Sequence, residues 1–281
     1  MTTQEAYPWQ LGAMTLPYIR WPFERALEGI ARAGFRYVGL RHELALPETP
    51  AAADYRALRQ QIADAGLTPA LMFARSRTPD LAVSLRQDVD TIASLGVPVL
   101  LVIPPSPGPK FASQRLGEMA WFTQVERWFD QIVPAVRRAE RHGVTLVLKP
   151  HGGIAGTGED LAALVERIGS PAVRVCYDPG NVVYYEGVRP EGDLPAVADL
   201  VRAVCIKDHR GAQAVVDFPT PGDGDIDHHA IFRTLHAAGF TGPCLIERID
   251  GLETPEDADR ELARGREYLE RVSADVLRES V

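Results

Sequence analysis

Short runs of apolar and β-branched residues alternate along the chain with longer segments whose apolar positions recur every three or four residues. The runs predict eight buried strands: Leu11–Leu16, Tyr37–Arg41, Thr68–Phe73, Pro98–Ile103, Thr145–Lys149, Val173–Tyr177, Ala203–Lys207 and Pro243–Glu247. The periodic segments predict helices between them. Pro22 opens the first and Gly34 closes it, with Phe23, Leu27 and Ile30 on the inward face. Others cover Asp54–Ala65, about Pro79 to Leu95, about Met119 to Arg141, Asp193–Val201 and Asp227–Ala238, and a last one starts at Thr254-Pro255. Thr157, with Asp160 three residues on, reads as a capping box for the helix after strand five.

Strict alternation of strand and helix predicts a parallel sheet, and eight such units predict a single (β/α)8 TIM barrel over residues 1–281. An open doubly wound sheet would share the alternation. However, no strand here runs into a G-x-G-x-x-G helix start, and the glycines of Gly152–Gly158 are wrongly spaced for one. In a closed barrel the reactive groups gather at the C-terminal ends of the strands.

Strands five to eight all end in polar residues. Thr145-Leu-Val-Leu-Lys-Pro-His-Gly-Gly153 begins as a buried strand and stops at Pro150, which has no N–H to donate to a ladder. Lys149 and His151 share parity there and should project to the same side. Strand six runs into Asp178-Pro-Gly-Asn181, strand seven into Lys207, Asp208 and His209, and strand eight into Glu247 and Arg248. Successive barrel strands bring these ends together. Ionisable groups cost several kcal/mol to bury unpaired, so groups of both signs converging on one mouth point to a preorganised pocket. Solvated salt bridges on a rim are the plainer reading of any one residue; recurrence at four consecutive strand ends favours the pocket.

Composition adds limits. The chain is 46% hydrophobic and 24% charged, enough for an ordinary core. A net charge of −8 without a basic block disfavours nucleic acid and anionic membrane surfaces as partners. Met1–Gly12 has no basic stretch followed by an apolar run, so no signal peptide is expected, and no apolar stretch is long enough to span a bilayer. Cys176, Cys205 and Cys244 lie inside predicted strands and read as reduced thiols of a cytoplasmic protein. H-E-x-x-H, G-x-S-x-G and P-loop signatures are absent. Asp223, Asp225 and Asp227 begin like an EF-hand, but His228 and Thr234 stand at its sixth and twelfth positions, which rejects calcium. The Pro104–Lys110 and His209–Ile226 loops are expected to form much of the pocket. A homo-oligomer is left open.

Lys149-Pro-His-Gly152, Tyr177-Asp-Pro-Gly-Asn181, Cys205-Ile-Lys-Asp208, Pro221-Gly-Asp-Gly-Asp-Ile-Asp227 and Cys244-Leu-Ile-Glu247 together resemble the xylose isomerase-like TIM barrels. These include sugar phosphate isomerases/epimerases, tagatose epimerases and inosose dehydratases. The likeness covers nearly the whole chain and is most specific from about residue 143 to 250. It implies a sugar or polyol ketone as substrate and proton transfer beside its carbonyl: isomerisation, epimerisation or dehydration through an enediolate. It also implies a divalent metal (Mn, Mg or Zn) held by a Glu on strand five, an Asp on strand six, a His on strand seven and a Glu on strand eight. Asp178 and Glu247 match two of these positions; Lys149 and Cys205 stand at the other two.

A protonated lysine cannot ligate, and two carboxylates under-coordinate a hard ion. The Lys149 ammonium is therefore expected near the place of the ion, paired with Asp178 and Glu247 and able to stabilise a developing enolate. His209, in parity with Cys205, could supply a ligand in a shifted geometry. Glu247 is the candidate base, and His151 or His209 the candidate to return a proton. Lys207, Asp208, Asn181 and Arg248 are candidate substrate contacts, with pairing between Lys207 and Asp208 the plainer reading of those two. With one carboxylate lost, one-base isomerisation or β-elimination is expected over two-base epimerisation. Two alternatives remain: a non-catalytic sugar-binding or accessory subunit, and a lyase forming a Schiff base at Lys149.

Overall fold

Eight parallel strands hydrogen-bond in sequence order and close on themselves, with the first against the eighth. They are β1 (Gln10–Met14), β2 (Tyr37–Arg41), β3 (Thr68–Phe73), β4 (Val99–Val102), β5 (Thr145–Leu148), β6 (Val173–Tyr177), β7 (Val201–Ile206) and β8 (Pro243–Ile246). The computed structural model describes residues 7–48, 50–75, 80–105 and 117–279. Most of the Pro104–Lys110 loop therefore lies outside the described residues.

Each strand alternates between two apolar environments, as parallel strands covered on both faces do. Met14, Leu71, Phe73, Val99, Leu101, Val147, Cys176, Ala203, Cys205 and Leu245 fill the barrel interior. Leu11, Val38, Leu40, Leu100, Leu146, Leu148, Val175 and Ile246 face outward against the surrounding helices. The interior leaves no spare room. A Cβ on Gly39 would lie 1.9 Å from the Met14 sulfur.

The helices form where apolar periodicity and caps coincide. Asp80 and Asp227 accept the backbone N–H three residues on, at the starts of Leu81–Leu95 and His228–Ala237. The Thr157–Asp160 capping box forms in both directions ahead of Gly158–Ile168. One expected helix, Asp193–Val201, does not form. A short helix at Pro190–Asp193 passes into two 3-10 turns, Leu194–Ala196 and Ala198–Leu200, and Val201 already belongs to β7. Pro195 comes just after the short helix Pro190–Asp193, where it cannot donate the hydrogen bond that running the helix on toward Val201 would need. Helical structure begins earlier instead, directly after Asp178, as one α turn (Pro179–Asn181) and a π turn (Val182–Glu186). No helix among the described residues is long and apolar enough to cross a membrane.

His42, just past β2, is 2% exposed and its Nε2 has no hydrogen-bond partner. Burial, reinforced by the Arg75 guanidinium, lowers its pKa to about 4. The unfolded ring titrates near 6.5. Between these values the unfolded chain binds more protons, so stability is lost as pH falls through that window, at about 1.4 kcal/mol per unit. From pH 7 to pH 5 the His42→Gln variant should lose about 2 kcal/mol less than the wild type in urea titrations. Equal losses would show that the ring is not buried in its neutral form.

Candidate active site

Lys149 continues the inward-facing parity of Val147, and Lys207 that of Ala203 and Cys205. The pairing of Ile206 with Ile246 sets Lys207 beside Glu247. Asp178 follows β6 directly and caps the next turn by accepting the Asn181 N–H at 2.9 Å. That turn packs tightly on β7. A Cβ on Gly180 would sit 2.7 Å from the Lys207 carbonyl oxygen, so only glycine permits the approach.

The four residues meet in one cluster, none more than 5% exposed. Lys149 Nζ pairs with Asp178 Oδ2 at 2.9 Å and donates a hydrogen bond to Glu247 Oε2. Lys207 Nζ lies 3.1 Å from the same Asp178 oxygen, 2.9 Å from the same Glu247 oxygen and 2.8 Å from Asn181 Oδ1. Lys207 thus meets three acceptors, matching the three protons of an ammonium. Lys149 meets two, and its Nζ also faces the Phe73 ring, 5.3 Å from the centroid. Glu247 Oε2 takes both cations, whereas Oε1 receives no hydrogen bond from the described residues.

The electrostatics follow from this pairing. Burial alone would lower the Lys149 pKa, but the Asp178 and Glu247 carboxylates outweigh it and hold the value well above the ordinary one. Burial alone would raise Glu247, but the Lys149 and Lys207 ammonium groups drive it well below the usual carboxylate range. Two cations and two anions make the cluster neutral in total, which is how so many charges are tolerated away from water.

His151 lies at the side of this cluster, with Nε2 2.9 Å from the Tyr185 hydroxyl. His209 shares the mouth but is turned aside. Its Nε2 is 2.8 Å from the Val215 carbonyl oxygen and its ring packs on Phe218. Both oxygens of Asp208 accept backbone N–H groups, from His209, Gly222, Gly224 and Ile226, so this carboxylate ties down the loop after β7. Lys207 pairs with Asp178 and Glu247 and not with Asp208. Arg248 stacks on Phe218 at 4.2 Å, is bound by Asp250, and lines a cleft with Leu16, Pro17, Ile19 and Leu252.

The residues do not fit the metal that the family implies. Among the described residues the one group able to gather around an ion is Asp178, Cys205 and Glu247, with ligand atoms within 4.8 Å of one another. Both ammonium groups already hold one oxygen of each carboxylate, Asp178 Oδ2 and Glu247 Oε2, and leave two positive charges where an ion would sit. Burial and the neighbouring Cys176 push the Cys205 thiol well above its usual value, and a soft sulfur is a poor match for a hard ion such as Mg or Mn. His209 is not part of this group.

Sequence reasoning missed Tyr185, Phe73 and Phe218. Phe73 ends β3 and could have been found by extending the strand-end rule to the first half of the barrel. Tyr185 sits on a π turn, which leaves no signature in a sequence.

A closed parallel barrel with a buried charge cluster at the C-terminal ends of β5 to β8 places the protein among barrel proteins with their site at that mouth. The chain belongs to the xylose isomerase-like TIM barrel family, whose model matches residues 27–272. No curated protein sequence matches it. Among solved structures, it is similar to a xylose isomerase domain protein from Planctomyces limnophilus (20% identity, TM-score 0.72, 97% of this chain and 98% of that one). A D-psicose 3-epimerase from Clostridium cellulolyticum H10, solved with D-tagatose, matches at 16% identity and TM-score 0.75, covering 94% and 99%. A 3-keto-D-glucoside 4-epimerase from E. coli matches at 17% and 0.72, covering 92% and 99%.

Proposed function

We propose that the protein is an enzyme of sugar or polyol ketones that moves a proton at the carbon next to the carbonyl, with Glu247 as base and Lys149 as oxyanion stabiliser. One observation carries the reading. Glu247 keeps one oxygen clamped by two ammonium groups and the other free of protein donors, while Lys149 has one N–H more than it has acceptors. A carbonyl oxygen arriving at Lys149 would take the spare N–H and, as negative charge grew on it, would draw the ammonium away from Glu247. The loss of a cation raises the basicity of Glu247 as the same cation begins to stabilise the enolate, so base and electrophile are activated together. Lys207, saturated by Asp178, Glu247 and Asn181, holds the acids in register, and Asp208 holds the loop above them. The sugar epimerases among the similar structures support the substrate class.

With a single carboxylate available on one face, isomerisation or β-elimination suits the site better than two-base epimerisation. A Schiff base at Lys149 is disfavoured, because the nucleophile would be a free amine and two carboxylates hold this one protonated. The test is solvent deuterium exchange at the carbon next to the carbonyl, over a panel of keto-sugars and inososes. Glu247→Gln should slow exchange by about a hundredfold or more. Unchanged exchange in that variant removes Glu247 as the base. Binding without exchange or turnover across the panel would favour the accessory, sugar-binding role, which the tight clamping of Glu247 Oε2 also suits.

A further inference from the structure

The chain leaves β6 in an unusual way. Asp178 caps a single α turn that runs at once into the π turn Val182–Glu186. Wide turns of this kind are frequent at functional sites, where the extra residue re-aims the side chains that follow. Here it places Tyr184 and Tyr185 edge to face, with ring centroids 4.8 Å apart. Tyr185 is 5% exposed, and its ring is tilted by 40° against the His151 imidazole, with centroids 4.6 Å apart. Its hydroxyl is 2.9 Å from His151 Nε2.

The tyrosine is held from behind. The Gln213 side-chain amide donates to the Tyr185 carbonyl at 2.7 Å, and the Ala214 N–H donates to the Tyr184 carbonyl at 3.0 Å. Gln213 and Ala214 belong to the loop that Asp208 anchors with four backbone hydrogen bonds. A continuous set of contacts therefore runs from Asp208 at the end of β7 to the ring of His151 at the end of β5. Burial raises the Tyr185 pKa, and the Lys149, Asp178 and Glu247 charges all act on it, so the phenol borders the charge cluster and remains a proton donor.

We infer that Tyr185 is the positioning residue of His151: its hydroxyl donates to Nε2, fixes the ring plane, and leaves the imidazole proton on Nδ1. The inference rests on the proposed chemistry only in giving His151 a proton to carry; the tautomer itself is a property of the free protein. A neutral imidazole has one donor and one acceptor nitrogen, and the partner of one decides the state of the other. Without the hydroxyl, one of the contacts that set the tautomer and orientation of the imidazole would be gone.

The experiment is a long-range proton–nitrogen correlation spectrum of the full chain labelled at histidine, with the His151 signals assigned by their loss in His151→Gln. The wild type should show the neutral ring protonated at Nδ1. Tyr185→Phe, which keeps the packed ring, should shift His151 to the Nε2-protonated form or to a mixture, with the remaining histidine signals in place. Loss of the hydroxyl should also lower kcat for solvent exchange about tenfold and change KM by less than about twofold. A wild-type ring protonated at Nε2, or a tautomer unaffected by Tyr185→Phe, overturns the inference. The spectrum needs no substrate, so absence of exchange on every sugar would count against the proposed reaction and not against this pairing.

Discussion

Lys149→Met should cost the protein about 3–5 kcal/mol and lower solvent exchange at least a hundredfold. Wild-type Lys149 and Lys207 share one oxygen of Asp178 and one of Glu247, in a cluster at most 5% exposed. Methionine fills similar space without the charge, so the cluster would carry an uncompensated negative charge away from water. Breaking one member of a buried ionic group is far more damaging than replacing the whole group, since the survivors have no solvent to turn to. The acids would respond by taking up a proton, and the variant should regain part of its loss as the pH falls. Denaturant titrations at pH 7 and pH 5 measure this, and exchange rates measure the catalytic part. A Lys149→Met protein with near-native exchange would show that this ammonium does not stabilise the oxyanion.

Extended dialysis against a chelator should leave the wild-type melting temperature and exchange rate unchanged, because both Glu247 and Asp178 are already matched by ammonium groups. The converse substitution should create a site. Lys149→Glu together with Cys205→His restores the strand-five acid and strand-seven imidazole that the family resemblance implies, while Asp178 and Glu247 stay in place. Mn2+ at about a hundred times its dissociation constant should then stabilise the double variant by about 2.7 kcal/mol, and the wild type by nothing measurable. Calorimetric titration with Mn2+ decides it. Stoichiometric, tight Mn2+ binding by the wild type would mean that the lysines leave the carboxylates readily, and would end the idea that Lys149 takes the ion's place.

Much of this was legible in the chain as written. All eight strands coincide with the short apolar runs to within two residues at either end, and the capping box at Thr157 forms as its spacing predicts. These signals are local: period, caps and turn residues act over a few positions. The failed helix at Asp193–Val201 was a local conflict as well, with apolar periodicity set against Pro195. The polar residues at the ends of β5 to β8 stand out in the sequence because a barrel gathers such ends, whatever the intervening sequence.

The partnerships were a different matter. Lys207 reads as a neighbour of Asp208, yet it pairs with Asp178 and Glu247, while Asp208 turns to the backbone of the following loop. His209 has the parity of the other inward groups and is nevertheless drawn to the Val215 carbonyl and the Phe218 ring. Tyr185 reaches His151 only because a π turn re-aims it.

The sequence by itself determined the elements, their order, the closed barrel they build, and the charged strand ends from β5 to β8. Only the tertiary structure decided that two lysines converge on the same two carboxylate oxygens, that one Glu247 oxygen stays free, and that a tyrosine attends His151. The reason is physical. Hydrophobic period and capping are settled between near neighbours, whereas a buried charge is settled by whichever opposite charge the closed barrel carries to within about 3 Å, and Lys149 and Glu247 stand 98 residues apart.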